Sequence, residues 1–183
     1  MTEIPIFHGR VRITAGFLLL LSAVLLTETE RLFLKMLPAV FVHELSHIAA
    51  LLAVGDGVES VTLGAKGLTL LPIGRASRPR LLFAVLMGPV SGLLLAPTLA
   101  RISPVCGGYS LIFSCFNLLP CRGLDGGTAA ELLFGMRAAR AVSCAVSLAL
   151  TLFGAAAAVR GGGALFAILG LWTFLSGGSI IEA

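Results

Sequence analysis

Charge is what this chain has least of. Asp, Glu, Lys and Arg make up 12% of its 183 residues, about half the roughly 25% of a soluble domain. There is no glutamine, one asparagine (Asn117) and only two aspartates, Asp56 and Asp125. With 57% hydrophobic residues and a mean hydropathy of +1.02, the chain reads as a polytopic membrane protein with one membrane domain. No stretch of soluble composition is long enough for an attached peptide-binding or nucleotide-binding module. Basic clusters are missing too. The net charge of +4 is scattered among short loops, which excludes a nucleic-acid surface and leaves charge as a report on orientation. The four cysteines, Cys106, Cys115, Cys121 and Cys144, show no C-x-x-C spacing. They read as small buried hydrophobes rather than a disulfide framework.

What is present is apolar sequence cut by polar punctuation. Six segments are expected, giving an all-α polytopic membrane protein of about six transmembrane helices. A core over 32–135 is flanked by accessory spans at 13–27, 138–159 and 163–176. The first is short, and Arg10 and Arg12 before it resemble the basic flank of a signal peptide. Without a clean small-x-small cleavage site it reads as a retained span. Between the second and third spans, at 57–73, two β-branched or leucine-rich pieces surround Gly64-Ala65-Lys66-Gly67, a membrane-associated β-hairpin signature. Either this is an amphipathic loop on the membrane surface, or its edge (Val61, Thr62, Leu63, Leu68, Thr69, Leu70) takes an extended peptide as an added strand. With the N-terminus inside, nine Lys and Arg residues fall in inside loops and four outside. Both termini are therefore expected in the cytoplasm of a bacterial-type cell membrane.

The second apolar run carries ionisable groups at its middle, His43-Glu44-Leu45-Ser46-His47. Such groups are costly at bilayer depth and mark function. Residues i and i+4 share a helix face, so both imidazoles can bind one Zn²⁺ while Glu44 handles the proton of a water. The plainer reading is a buried histidine pair bonded to a neighbouring helix. A catalytic zinc typically has three protein ligands. Asp125, Asp56, Glu131 and Cys121 are the candidates for the third. Asp125 has the best context, in Asn117-Leu118-Leu119-Pro120-Cys121-Arg122-Gly123-Leu124-Asp125-Gly126-Gly127, although it also suits the N-cap of a helix starting near Gly126.

H-E-x-x-H in one membrane helix, followed about seventy residues later by N-x-x-P-x-x-x-x-D-G, resembles the signature of the site-2 protease family of intramembrane zinc metalloproteases. Gly88-Pro89 in the third span looks like that family as well. In size and layout the chain is most similar to the group of the stage IV sporulation protease FB. The resemblance implies one Zn²⁺ per chain held by His43, His47 and Asp125, with Glu44 as acid/base and Asn117 as an auxiliary polar group. It also implies a membrane-tethered protein or transcription-factor precursor as substrate, and a membrane-protein inhibitor as partner. Two positions depart from the family's usual pattern: Ser46 stands where glycine is common, and Cys121-Arg122-Gly123 replaces a stretch richer in proline and apolar residues. A metal transporter would need facing ionisable residues in other spans, which are almost lacking. A catalytically inactive regulator would not need Glu44.

Overall fold

The computed structural model describes residues 2–6, 9–15, 18, 22, 32–64, 67–74 and 76–175. The chain divides into two compact units, Met1–Cys115 and Phe116–Ala183.

In the first unit, four short strands form one sheet: β1 (Thr2–Ile6), β2 (Gly9–Ile13), β3 (Val58–Gly64) and β4 (Gly67–Pro72). Their order in the sheet is their order in the chain. The β3–β4 hairpin stands where the glycine-bracketed turn placed it, antiparallel and closing on the Gly64–Gly67 pair. The other half of the sheet was not expected. Arg10 and Arg12, read above as a basic flank, lie in β2, which pairs antiparallel with β1 and parallel with β3. The expected first span, 13–27, falls largely outside the described residues.

Helix α1 (Leu32–Ala53) contains the histidine motif and, five residues before His43, Pro38. Pro38 lacks the N–H that would bond to Leu34, a loss tolerated in membrane helices. Helix α2 (Arg78–Ile102) begins after Ser77 and keeps Pro89 and Pro97 within it. The two helices meet through small side chains: Ala50, Leu51 and Ala84 form a buried cluster, with Met87 and Val58 against it. Alanine at such a contact lets backbones approach, which favours association where no hydrophobic drive exists. Asp56 ties the hairpin to the end of α1, its Oδ1 accepting the backbone N–H groups of Gly57 (2.9 Å) and Gly74 (2.8 Å). Helix α3 (Pro104–Asn117) packs on α2 through Ser110, whose hydroxyl donates to the Gly92 carbonyl at 2.8 Å. The boundary between the units falls in its last turn.

In the second unit, α4 (Asp125–Phe134) is followed, across Gly135, by α5 (Met136–Val159) and then α6 (Ala164–Leu175). Gly135 has φ +80°, outside the helical range, which separates α4 from α5. Helices α5 and α6 are joined by a buried hydroxyl pair, Ser147 and Thr173, at 2.9 Å.

Among the described residues three helices are long and apolar enough to cross a membrane: Leu34–Ala53, Arg78–Ile102 and Met136–Val159. Their large apolar side chains remain exposed within the chain, such as Leu94 (71%) in α2 and Phe153 (63%) in α5, as a lipid solvent permits. Helices α3 and α6, of 14 and 12 residues, are shorter than the roughly 20 residues of a full span.

Candidate metal centre

His43 and His47 lie one helical turn apart on α1 and are both buried, at 2% and 8% exposure. Their Nε2 atoms face each other at 3.2 Å, and their rings meet edge to face at 84°. The ring of His43 is also held edge to face by Phe113 of α3, centroid to centroid 4.9 Å. The Nδ1 of His47 lies 2.9 Å from the carbonyl oxygen of Ala84 on α2. A carbonyl can only accept, so Nδ1 carries the proton and Nε2 presents a lone pair. That outer bond is the usual way a metal-ligating imidazole is oriented and its tautomer fixed.

This arrangement tests whether the pair suits a metal. With zinc–nitrogen bonds of 2.0–2.1 Å and tetrahedral angles, two ligand nitrogens stand about 3.3 Å apart. The observed 3.2 Å agrees. At that distance a proton on the Nε2 of His43 can bridge to the lone pair of His47, and a divalent cation can take that proton's place. The pair therefore fits a tetrahedral divalent ion without rearrangement. Helix α2 shapes itself to the ring: a Cβ at Gly88 would overlap the Nε2, Cε1 and Cδ2 atoms of His47.

Glu44 follows His43 and is half-buried, turned about 100° around α1 from it. Ser46 is no obstacle on that helix, since its hydroxyl donates to the Val42 carbonyl at 2.7 Å within the same turn.

In the second unit, Asn117 is buried at the last position of α3. The chain then turns through Pro120 and Gly123 (φ +89°) into α4. Asp125 is the first residue of that helix and Leu124, in extended conformation, is its N-cap. The N-cap reading of Asp125 is thus corrected. Inside the first turn its carboxylate is favoured as an anion by the helix dipole. Gly126 and Gly127 let α4 sit directly on its own approach loop, since a Cβ at either would overlap backbone of Leu118 and Leu119, or of Cys121.

Of the other candidates for a third ligand, Asp56 is engaged elsewhere. It closes the hairpin base, while Glu131 faces Arg122 at 3.9 Å and Cys121 lies buried in the loop before α4. His43 and His47 thus belong to the first unit and Asp125 to the second.

The strand-edge residues divide. Val61, Thr62 and Leu63 belong to β3, which is paired on one side with β2 (Val11, Arg12, Ile13) and on the other with β4. They have no open ladder, so their candidacy as an edge is corrected. The sequence pattern could not show this, because the covering strand comes from some fifty residues earlier. Leu68, Thr69 and Leu70 lie on β4, an outer strand of the sheet. Sequence reasoning also missed the Ala84 carbonyl and Phe113. A backbone acceptor leaves no trace in residue type.

No family model matches the chain. Over 78 residues it is 42% identical to the rice (Oryza sativa) protein named "Probable zinc metalloprotease EGY3, chloroplastic", covering 42% of this chain and 13% of that protein. Over 162 residues it is 28% identical to the Mycobacterium tuberculosis protein named "Putative zinc metalloprotease Rip3", covering 79% of this chain and 39% of that one. The chain thus spans well under half the length of these relatives. Among solved structures it is similar to the site-2 protease from Methanocaldococcus jannaschii, with a TM-score of 0.66 at 16% identity, covering 100% of this chain and 99% of that one. The fold is that of a site-2 protease.

Proposed function

We propose that this chain is an intramembrane zinc metalloprotease, hydrolysing a peptide bond of a membrane-associated protein in or near the bilayer. The observation that carries the reading is the histidine pair on α1. Its two Nε2 atoms are 3.2 Å apart, and one ring's tautomer is fixed by a carbonyl on the neighbouring helix. The names of the relatives and the fold of the solved neighbour support it.

In this reading His43, His47 and Asp125 would hold one Zn²⁺, which would supply a Lewis acid. Glu44 takes a proton from the attacking water as its oxygen bonds to the scissile carbonyl carbon. It then delivers the proton to the amide nitrogen as the C–N bond breaks, and the second proton of the water passes from the new carboxylic acid to the amine, leaving a carboxylate and an ammonium group. Asn117 donates a hydrogen bond to the carbonyl oxygen as it gains negative charge, a neutral donor where a further fixed charge would be costly. Glu44 is the only carboxylate within α1.

A substrate helix must unwind before its carbonyls can be attacked. The outer strand β4, with Leu68, Thr69 and Leu70, holds the extended segment by strand addition. The substrate is a membrane-tethered protein or transcription-factor precursor, the regulating partner a membrane-protein inhibitor, and both termini face the cytoplasm of a bacterial-type membrane. In size and layout the chain resembles the group of the stage IV sporulation protease FB.

The test is Glu44→Gln. It should keep one zinc per chain by metal analysis while lowering hydrolysis of a single-span substrate in detergent by about 10²–10⁴-fold. Hydrolysis at the wild-type rate with zinc bound would overturn the reading.

A further inference from the structure

Arg122 is a charge in an unusual place. It sits in the loop between α3 and α4, three residues before Asp125, and its side chain is only 16% exposed. Its Nε is buried and has no hydrogen-bond partner among the described residues. Glu131 on α4 faces it, with Oε1 3.9 Å from Nε. That is beyond hydrogen-bond reach, so the pair is Coulombic and loose. A guanidinium has five N–H donors in a rigid fork, and in a poorly solvated site each donor left open is costly.

The backbone beneath this side chain is fixed. The N–H of Arg122 donates to the Ser143 hydroxyl of α5 at 2.8 Å. Cys121 before it is fully buried, and Leu124 after it is buried as well. The first turn of α4 presses on the Cys121 carbonyl with no room for a Cβ at Gly127. The arginine is therefore mounted rigidly, held short of a full bond to Glu131, and spaced within one short loop from a proposed zinc ligand. A carboxylate arriving from outside could take the fork in two parallel hydrogen bonds, which the Nε–Glu131 separation does not provide.

Resting on the protease reading above, we propose that Arg122 is a specificity-determining residue that selects substrates carrying an Asp or Glu side chain near the scissile bond. Glu131 competes for the same guanidinium and weakens the selection.

The experiment uses zinc-loaded full-length protein in detergent and single-span substrates carrying Asp, Ala or Lys in turn at each position flanking the cleaved bond. At one position the wild type should favour Asp over Lys in kcat/KM by about tenfold or more, the range of a charge-assisted hydrogen bond. Arg122→Ala should bring that ratio close to one, Arg122→Lys should keep part of it, and Glu131→Gln should raise it. The same peptides should rank alike in binding to the Glu44→Gln variant, which separates recognition from hydrolysis. A flat wild-type profile would overturn the proposal. So would an Asp-to-Lys ratio unchanged in Arg122→Ala, with all substrates lowered equally in Arg122→Ala and Glu131→Ala, the mark of a structural pair. If instead acidic peptides bind preferentially but no variant or wild type cleaves them, selection stands and the protease reading falls.

Discussion

Gly88 of α2 lies against the imidazole of His47 so closely that no side chain fits between them. The ring is therefore clamped: the bare helix surface lies against it while the Ala84 carbonyl, one turn earlier, holds its Nδ1–H.

Gly88→Ala should push the ring off its bond to Ala84 and weaken zinc binding by about 10–100-fold, the usual range for losing an outer-shell partner. Competition with a zinc chelator measures this. Gly108→Ala on α3, where an added Cβ meets nothing within 4 Å, serves as the control and should leave affinity unchanged.

The two aspartates should separate cleanly. Asp125→Ala is expected to lose zinc on metal analysis, whereas Asp56→Ala should retain it. The cost of the second change falls on the hairpin base, where two backbone N–H groups lose their acceptor. About 1–3 kcal/mol of stability is at stake there, readable by denaturant unfolding in detergent. Full zinc occupancy in Asp125→Ala would place the third ligand elsewhere.

On β4, adjacent residues direct their N–H groups to opposite sides of the strand. Proline at Leu68 and at Thr69 should therefore differ: one variant breaks the ladder to β3 and lowers the melting temperature, the other removes only an outward donor. Both should reduce cleavage, the outward one by about fivefold with its melting temperature preserved. Wild-type cleavage by both variants would remove the strand from substrate binding.

In the second unit the Ser147–Thr173 bond offers a double-mutant cycle. Alanine at either position, and at both, should give a coupling of about 0.6 kcal/mol in unfolding measurements. Additive losses would show that the hydroxyls contribute separately.

Much of this was legible in the residues. The histidine pair could be placed on one helix face because a 3.6-residue period leaves no other arrangement for positions four apart. The hairpin was visible because glycines bracket a turn between two β-branched runs. The strands β1 and β2 were not. Five-residue pieces such as Gly9–Ile13 carry too little pattern, and parallel pairing to Ser60–Leu63 has no local signature. The loop from Leu118 to Leu124 was recognised by its motif, but the engagement of Arg122 with Ser143 and Glu131 depends on α4 and α5 folding back beside it.

The carbonyl of Ala84 ties ion retention to helix seating. A slide of Arg78–Ile102 by a single residue would carry that oxygen about 1.5 Å along its axis, enough to stretch a 2.9 Å bond past its useful length. Metal content would then act as a gauge of how the two helices mesh. Lipid thickness or detergent would then change zinc retention without touching either imidazole.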